Sequence, residues 1–148
     1  MEPLYEERFG FLITDVGRLC GQRFDGLARS QLDLSRAQCR VLAYLAQSGE
    51  VVNQAQLAGL LDVAPISAGR MLDRMEEGGW IERSANPDDR RARHVRMTPK
   101  AERSLGKARK VGDKVSAEGL NGFTDDEAKQ LISLLQRVRR NLSKIVDR

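Results

Sequence analysis

The residues of this chain with the most chemistry to offer are arginines, and that chemistry is the binding of anions and of base edges. Behind Pro65, the residues Ser67, Arg70, Met71 and Arg74 fall on the outward side of a helical wheel, with Arg70 and Arg74 four apart and Ser67 one turn before Arg70. A guanidinium held in that place can make two parallel bonds to guanine O6 and N7, worth ~1–3 kcal/mol of discrimination. The alternative is a solvated arginine paired with Asp73, Glu76 or Glu77. Contact with a base or a phosphate is the favoured reading for Arg70, and the two readings are even for Arg74. A second cluster, Asp88, Asp89, Arg90, Arg91 and Arg93, follows Asn86-Pro87. An arginine at the tip of a hairpin can enter a narrow minor groove, where the potential is most negative. An aspartate beside phosphates is costly unless it orients that arginine through a charge-assisted bond. Asp89 would then brace and Arg91 insert. Taken alone, these residues favour an ordinary charged hairpin tip.

Other chemistries find little to use. Cys20 and Cys39 form no CxxC pair, and with His94 as the one histidine a zinc cluster is not expected. No nucleophile motif and no glycine-rich phosphate loop occurs, so neither an enzyme nor a cofactor or metal is expected. His94 alternates outward on a short strand, which suits wing-surface contact or solvation.

The charge is unevenly placed. The chain has 148 residues and a net charge of +4. Residues 88–114 hold ten bases against four acids, +6, which leaves −2 for the rest. A basic block on a near-neutral chain suits a polyanion partner; a solvated helix face accounts for it equally well. The longest uncharged run, Val51 to Leu61, has eleven residues and is too short to span a bilayer. The acidic start Met1-Glu2-Pro3 is unlike a signal peptide, so a cytoplasmic protein without membrane contact is expected.

These residues must be positioned by helices with one interruption. Phe9, Leu12, Ile13, Val16, Leu19, Cys20, Phe24 and Leu27 follow helical spacing across Phe9 to Ala28, and Cys20 is expected in the core. Gly10, Gly17, Gly21 and Gly26 in that helix suggest close packing or a cavity wall. Ser35 and Gln38 form a capping box, with Leu34 stapled onto Cys39, for a helix carrying Leu42, Leu45 and Ala46. Asn53 and Gln56 make a second box before Leu57, Leu60 and Leu61. After Asp62-Val63-Ala64, Pro65 opens another helix, with Ile66, Gly69, Leu72 and Met75 expected to face inward and Gly78-Gly79 as its stop. Two short helices joined by about three residues form a helix-turn-helix. Trp80–Ser84 and Arg93–Met97 then read as a β-hairpin with Asn-Pro-Asp turn chemistry, a wing. Thr98-Pro99 starts a long helix with a narrow stripe of Ala101, Leu105, Ala108, Val111, Gly112 and Val115. Thr124 to Glu127 is a third capping box, before a helix whose Ala128, Leu131, Leu135, Val138, Leu142 and Ile145 approach a heptad seam. The fold class is mainly α with a small β-wing. One domain spans 1–148: a winged helix-turn-helix at about 35–97, with N- and C-terminal helices at about 4–29 and 99–147 left to bury their stripes. For a DNA reader, pairing with a second copy is favoured, because two-fold symmetry matches palindromic half-sites.

The stretch Asp89-Arg90-Arg91-Ala92-Arg93-His94-Val95-Arg96-Met97-Thr98 resembles the D-x-R-x(5)-L-T wing pattern of the MarR family of transcriptional regulators, with Met97 in the leucine position. Leu72-Asp73-Arg74-Met75-Glu76-Glu77-Gly78-Gly79-Trp80-Ile81 is similar to that family's recognition-helix end and first wing strand. Leu32-Asp33-Leu34-Ser35 resembles the start of its second helix. The likeness spans nearly the whole chain and is strongest to the SlyA-like branch. It implies recognition-helix contacts from Ser67 and Arg70, minor-groove insertion by Arg91 braced by Asp89, and a homodimer built from the first, fifth and sixth helices. Its implied partners are double-stranded DNA at a pseudo-palindromic operator, a second copy, and a small aromatic or anionic effector near Arg18, Gln22, Gln38 and Cys39. On the residues alone, surface for Arg18 and core for Cys39 are favoured over that effector role. A peroxide-sensing branch places its cysteine where Phe11 aligns, about nine residues before Cys20, and its tyrosine partners are missing here. A thiol-responsive regulator and a winged-helix protein-interaction adaptor are the alternatives.

Overall fold

The computed structural model describes residues 5–49, 54–61, 63–89 and 93–146. Arg90 and Arg91 at the hairpin tip, and the Asn53 half of the second capping box, lie outside these residues. After a single 3-10 turn at Tyr5–Glu7 come α1 (Phe9–Ala28), α2 (Arg36–Ser48), α3 (Gln54–Leu61), α4 (Pro65–Glu77), β1 (Ile81–Ala85), β2 (Arg93–Met97), α5 (Pro99–Gly119) and α6 (Asp125–Val146). The fold is mainly helical with one two-stranded antiparallel sheet, a winged helix-turn-helix with additional helices before and after it.

Local sequence sets most element ends. Ser35 Oγ accepts from the Gln38 N–H at 3.2 Å while the Gln38 amide oxygen accepts from the Ser35 N–H at 3.0 Å, so two otherwise orphaned donors are satisfied at the start of α2. Thr124 and Glu127 close the same kind of box on α6. Helix α4 ends in a Schellman arrangement: the Trp80 N–H donates to Met75 O at 2.9 Å and the Gly79 N–H to Glu76 O at 3.0 Å. That geometry places Gly79 at φ +74°, where a side chain would be strained. Gly78 is constrained differently, since a Cβ there would meet the Trp80 indole at 2.8 Å.

The chain divides into two compact units, Met1–Asp113 and Lys114–Arg148. The first holds the core. Val41, Leu42 and Leu45 of α2, Leu57 and Leu61 of α3, Leu72 and Met75 of α4, Ile81 and Val95 of the hairpin, and Ala101, Leu105 and Ala108 of α5 are buried together with Trp80. Arg40 of α2 donates to Leu60 O at 3.2 Å, fastening α2 to the carbonyl end of α3. The second unit carries α6, whose Ile132, Leu134, Leu135, Leu142 and Ile145 are exposed; no residue of that helix is buried.

Two expectations about faces are corrected. Helix α1 has the expected limits, but only Gly21 and Ala28 are buried in it, and Phe9, Leu12, Ile13, Val16 and Leu19 are exposed. Cys20 is likewise exposed rather than in the core. A single chain covers the C-terminal end of this stripe, where Phe24 reaches the core, and leaves the rest open. Among the four glycines, Gly21 alone is closely approached, by the Arg36 guanidinium, which also lies 3.7 Å from Asp25. On α4 the buried line is Ala68, Leu72 and Met75, whereas Ile66 is 71% exposed and Gly69 half-buried. The expected series by threes rotates about 60° per step away from a true helical stripe, so Ile66 ends on the side opposite Met75.

Candidate nucleic-acid interface

The outward side of α4 carries Ile66, Ser67, Arg70, Asp73, Arg74 and Glu77, all exposed. Met71, expected among them, is half-buried against the core because it lies within about 40° of Met75 around the helix. Among the described residues, neither Arg70 nor Arg74 makes a side-chain ion pair or hydrogen bond. Two of the three acids that could have neutralised them, Asp73 and Glu76, are engaged elsewhere, and Glu77 is exposed.

Asp73 and Glu76 are both held by Arg83, which comes from β1. The Arg83 Nη2 donates to Asp73 Oδ1 and, at 3.1 Å, to Glu76 Oε1, and the Arg83 main-chain N–H donates to Glu76 Oε2 at 3.0 Å. Register explains the approach. Arg83 sits opposite Val95 on the hairpin face it shares with buried Ile81, so its guanidinium is directed at α4 rather than at solvent. Its side chain is 11% exposed, against 58% for Asp73. Among the described residues its buried Nε–H finds no acceptor, so the two carboxylates decide where the guanidinium lies. The hydrogen bond from Arg83 holds the Glu76 carboxyl below the usual glutamate range, and the same bond pushes the Arg83 guanidinium up. A depressed carboxyl contributes stability that is present above its unfolded pKa, about 4.3, and lost as pH falls through the folded value. Acid unfolding of Glu76→Gln should therefore lack part of the stability loss that wild type shows below about pH 4. Equal slopes in a pH series of denaturant melts would contradict this linkage.

A second joint fixes the other end of the hairpin. Lys100 Nζ donates to Gly78 O at 2.7 Å and lies 4.0 Å from the centroid of the Trp80 ring. Thr98 Oγ1 donates to Gly79 O at 2.7 Å and accepts from the Ala101 N–H at 3.2 Å, so one hydroxyl caps α5 and holds the turn after α4. Helix α4, the wing and α5 thus meet at one hydrogen-bonded corner. On the wing, Asn86 Oδ1 accepts from the Asp88 N–H at 2.9 Å, an Asx turn leading into the tip, and Asp89 is exposed next to it. Arg93 is exposed opposite Ala85, on the face that carries Arg83, near enough for its charge to act on Glu76.

The MarR family model matches residues 34–92. MarR from E. coli, in its wild-type apo form, is 30% identical, with 88% of this chain and 96% of that one aligned at a TM-score of 0.76. The chain belongs to the MarR family. A further transcriptional regulator aligns over 93% of this chain and 99% of its own at 31% identity and TM-score 0.77. A MarR-family regulator from Rhodococcus sp. RHA1, at 23% identity, shares the fold over 93% of this chain and 96% of its own with a TM-score of 0.81.

Within this MarR-family chain, the four residues associated with an effector are in three different settings. Arg18 and Gln22 are exposed on α1, where Arg18 donates to Gln22 Oε1 at 3.5 Å and lies 3.4 Å from Asp15. Gln38 is half-buried, with its amide oxygen committed to the cap of α2. Cys39 belongs to the core, and burial pushes its thiol pKa up, away from thiolate chemistry. Among the described residues no group of three His, Cys, Asp or Glu could hold a metal ion, and no helix is long and apolar enough to cross a membrane.

The organising roles of Arg83, Thr98 and Lys100 are not part of the sequence expectations. The signal for Arg83 was present: alternation from Ile81 puts a charge on the inward face of β1, and an inward charge requires a partner. For Thr98 the sequence shows only a cap, and nothing local marks the reach of Lys100 to Gly78.

Proposed function

We propose that the protein is a sequence-specific regulator of transcription that binds double-stranded DNA as a homodimer on a pseudo-palindromic operator. In this reading Pro65, Ser67, Arg70, Met71 and Arg74 belong to the helix that enters the major groove, and Asp89, Arg90, Arg91 and Arg93 to a wing that contacts the adjacent minor groove. The observation that carries it is the pair Arg70 and Arg74, exposed on α4 without a carboxylate partner among the described residues while Asp73 and Glu76 are bound to Arg83. Met71, half-buried, supports that helix from behind instead of reaching bases. The winged helix-turn-helix takes about 35–97, and the helices at about 4–29 and 99–147 form the dimerisation region. The open apolar faces of α1 and α6 support this division.

Selection of bound sequences from random DNA tests the reading, and a two-fold-related consensus is expected. The affinity for that site should fall with salt at a log–log slope of about −0.9 per phosphate neutralised. A flat salt response without a consensus would instead favour the protein-interaction adaptor.

The finer part of the proposal is a SlyA-like response to a small aromatic or anionic effector. It is supported by Arg18, an exposed cation on α1 with its amide neighbour Gln22. Salicylate should weaken operator binding, and an affinity unchanged by it would count against this response. The thiol-responsive alternative rests on the exposure of Cys20; an operator affinity insensitive to peroxide eliminates it.

A further inference from the structure

We infer that Arg83 is a positioning residue for base reading: from the wing side it occupies Asp73, and thereby keeps that carboxylate from closing on Arg70. The inference rests on the reading of α4 as the groove-entering helix. Arg70 and Asp73 are three residues apart, about 60° around the helix, and side chains so placed are surface neighbours within pairing reach. A carboxylate three residues on that closes on Arg70 takes two of its five donors and turns the guanidinium along the helix surface, away from the guanine O6 and N7 it would otherwise face. Asp73 is therefore the residue most able to silence Arg70.

Two cations compete for that carboxylate, and the structure shows which one holds it. Arg70 would meet Asp73 on an exposed surface, where ion pairs are weak and screened. Arg83 meets it from a nearly buried position, backed by Glu76 at 3.1 Å and by a main-chain bond of 3.0 Å to the same glutamate. The Glu76 contacts fix Arg83 whether or not Asp73 is present, so its guanidinium is already in place for Asp73. The low pKa of Glu76 is consistent with that anchoring. Because Arg83 belongs to β1, docking of the wing and the freeing of Arg70 are a single event.

The test uses the full chain in four forms: wild type, Arg83→Met, Asp73→Asn, and the double variant. Arg83→Met should bind the selected site about tenfold more weakly and lose preference at the base pair read by Arg70. Adding Asp73→Asn should restore affinity to within about threefold of wild type, a non-additivity expected only of coupled residues. A purely structural Arg83 would leave the double variant as weak as Arg83→Met, and that result overturns the inference. Arginine side-chain 15N relaxation gives a second readout without DNA. The Arg70 guanidinium should be mobile in wild type, ordered in Arg83→Met, and mobile again in the double variant. Equal mobility in all three overturns the inference, whatever the DNA measurements give. Thermal melting checks that Arg83→Met folds. If it does not, Arg83→Lys replaces it, since its ammonium ends one bond short of the Nη2 that reaches both acids; a smaller loss relieved by Asp73→Asn is expected, and no relief overturns the inference. Wild type showing no sequence preference would fail the DNA-reading proposal, while the relaxation series still decides who holds Asp73.

Discussion

Leu72→Ala is expected to lower the unfolding free energy by about 2–5 kcal/mol, the range for truncating a leucine in a well-packed core. Single domains of this kind have only ~5–15 kcal/mol in total, so the variant approaches the threshold of folding. Leu72 lies on the buried line of α4 between Ala68 and Met75 and belongs to the cluster that includes Leu42, Leu57 and Ile81. Its removal leaves a cavity where α4, α3 and the wing come together, and a rigid core collapses into such a space only in part. Urea denaturation should show a lower midpoint with an unchanged slope. The informative comparison is Ile66→Ala on the same helix, which should stay within about 0.5 kcal/mol of wild type because Ile66 is largely exposed. Equal losses in the two variants would mean that α4 is rotated from the orientation described above.

Arg70→Ala should divide the other way, with stability near wild type and loss of base discrimination. The side chain is exposed and makes no bond to the described residues, so its truncation removes nothing that the fold uses. On the operator it should cost about 1–3 kcal/mol at one base pair per half-site, roughly five- to 150-fold, and leave other positions unaffected. Arg91→Ala is expected to weaken binding to all sequences more evenly, since a minor-groove arginine reads shape and potential more than base identity. Competition between the selected site and single-base variants separates the two patterns. If both substitutions bind like wild type, the contact arrangement proposed for α4 and the wing is wrong.

The element limits were legible because their causes are local. Ser35 with Gln38, Thr124 with Glu127, Pro65, and Gly78 with Gly79 act within four residues of themselves, and each marks a boundary that the structure keeps. The hairpin was equally readable, with β2 at the expected residues and β1 displaced by one. Faces were harder. Helical spacing shows that α1 has an apolar side, but a stripe does not reveal what covers it, and for that reason Cys20 is exposed where its place on the stripe suggests core. The inward expectation for Ile66 rests on a three-residue repeat, which drifts around the helix within three steps. The site was readable in its residue types and unreadable in its pairings. Arg83 reaches seven and ten residues back to Glu76 and Asp73, across a turn and between two elements. Which acid meets which base is decided there by strand register and helix rotation together, and neither is a property of a short window.

The corner where Lys100 bonds Gly78 O contains the one tryptophan of the chain, buried with an ammonium 4.0 Å from its ring. Emission excited at the red edge, where the two tyrosines do not absorb, therefore has a single origin, and that origin lies between the end of α4, the start of β1 and the first turn of α5. Light from Trp80 reports any rearrangement of that junction without an attached dye, and a denaturation curve followed by it registers the loss of the footing of α4 rather than an average over the molecule.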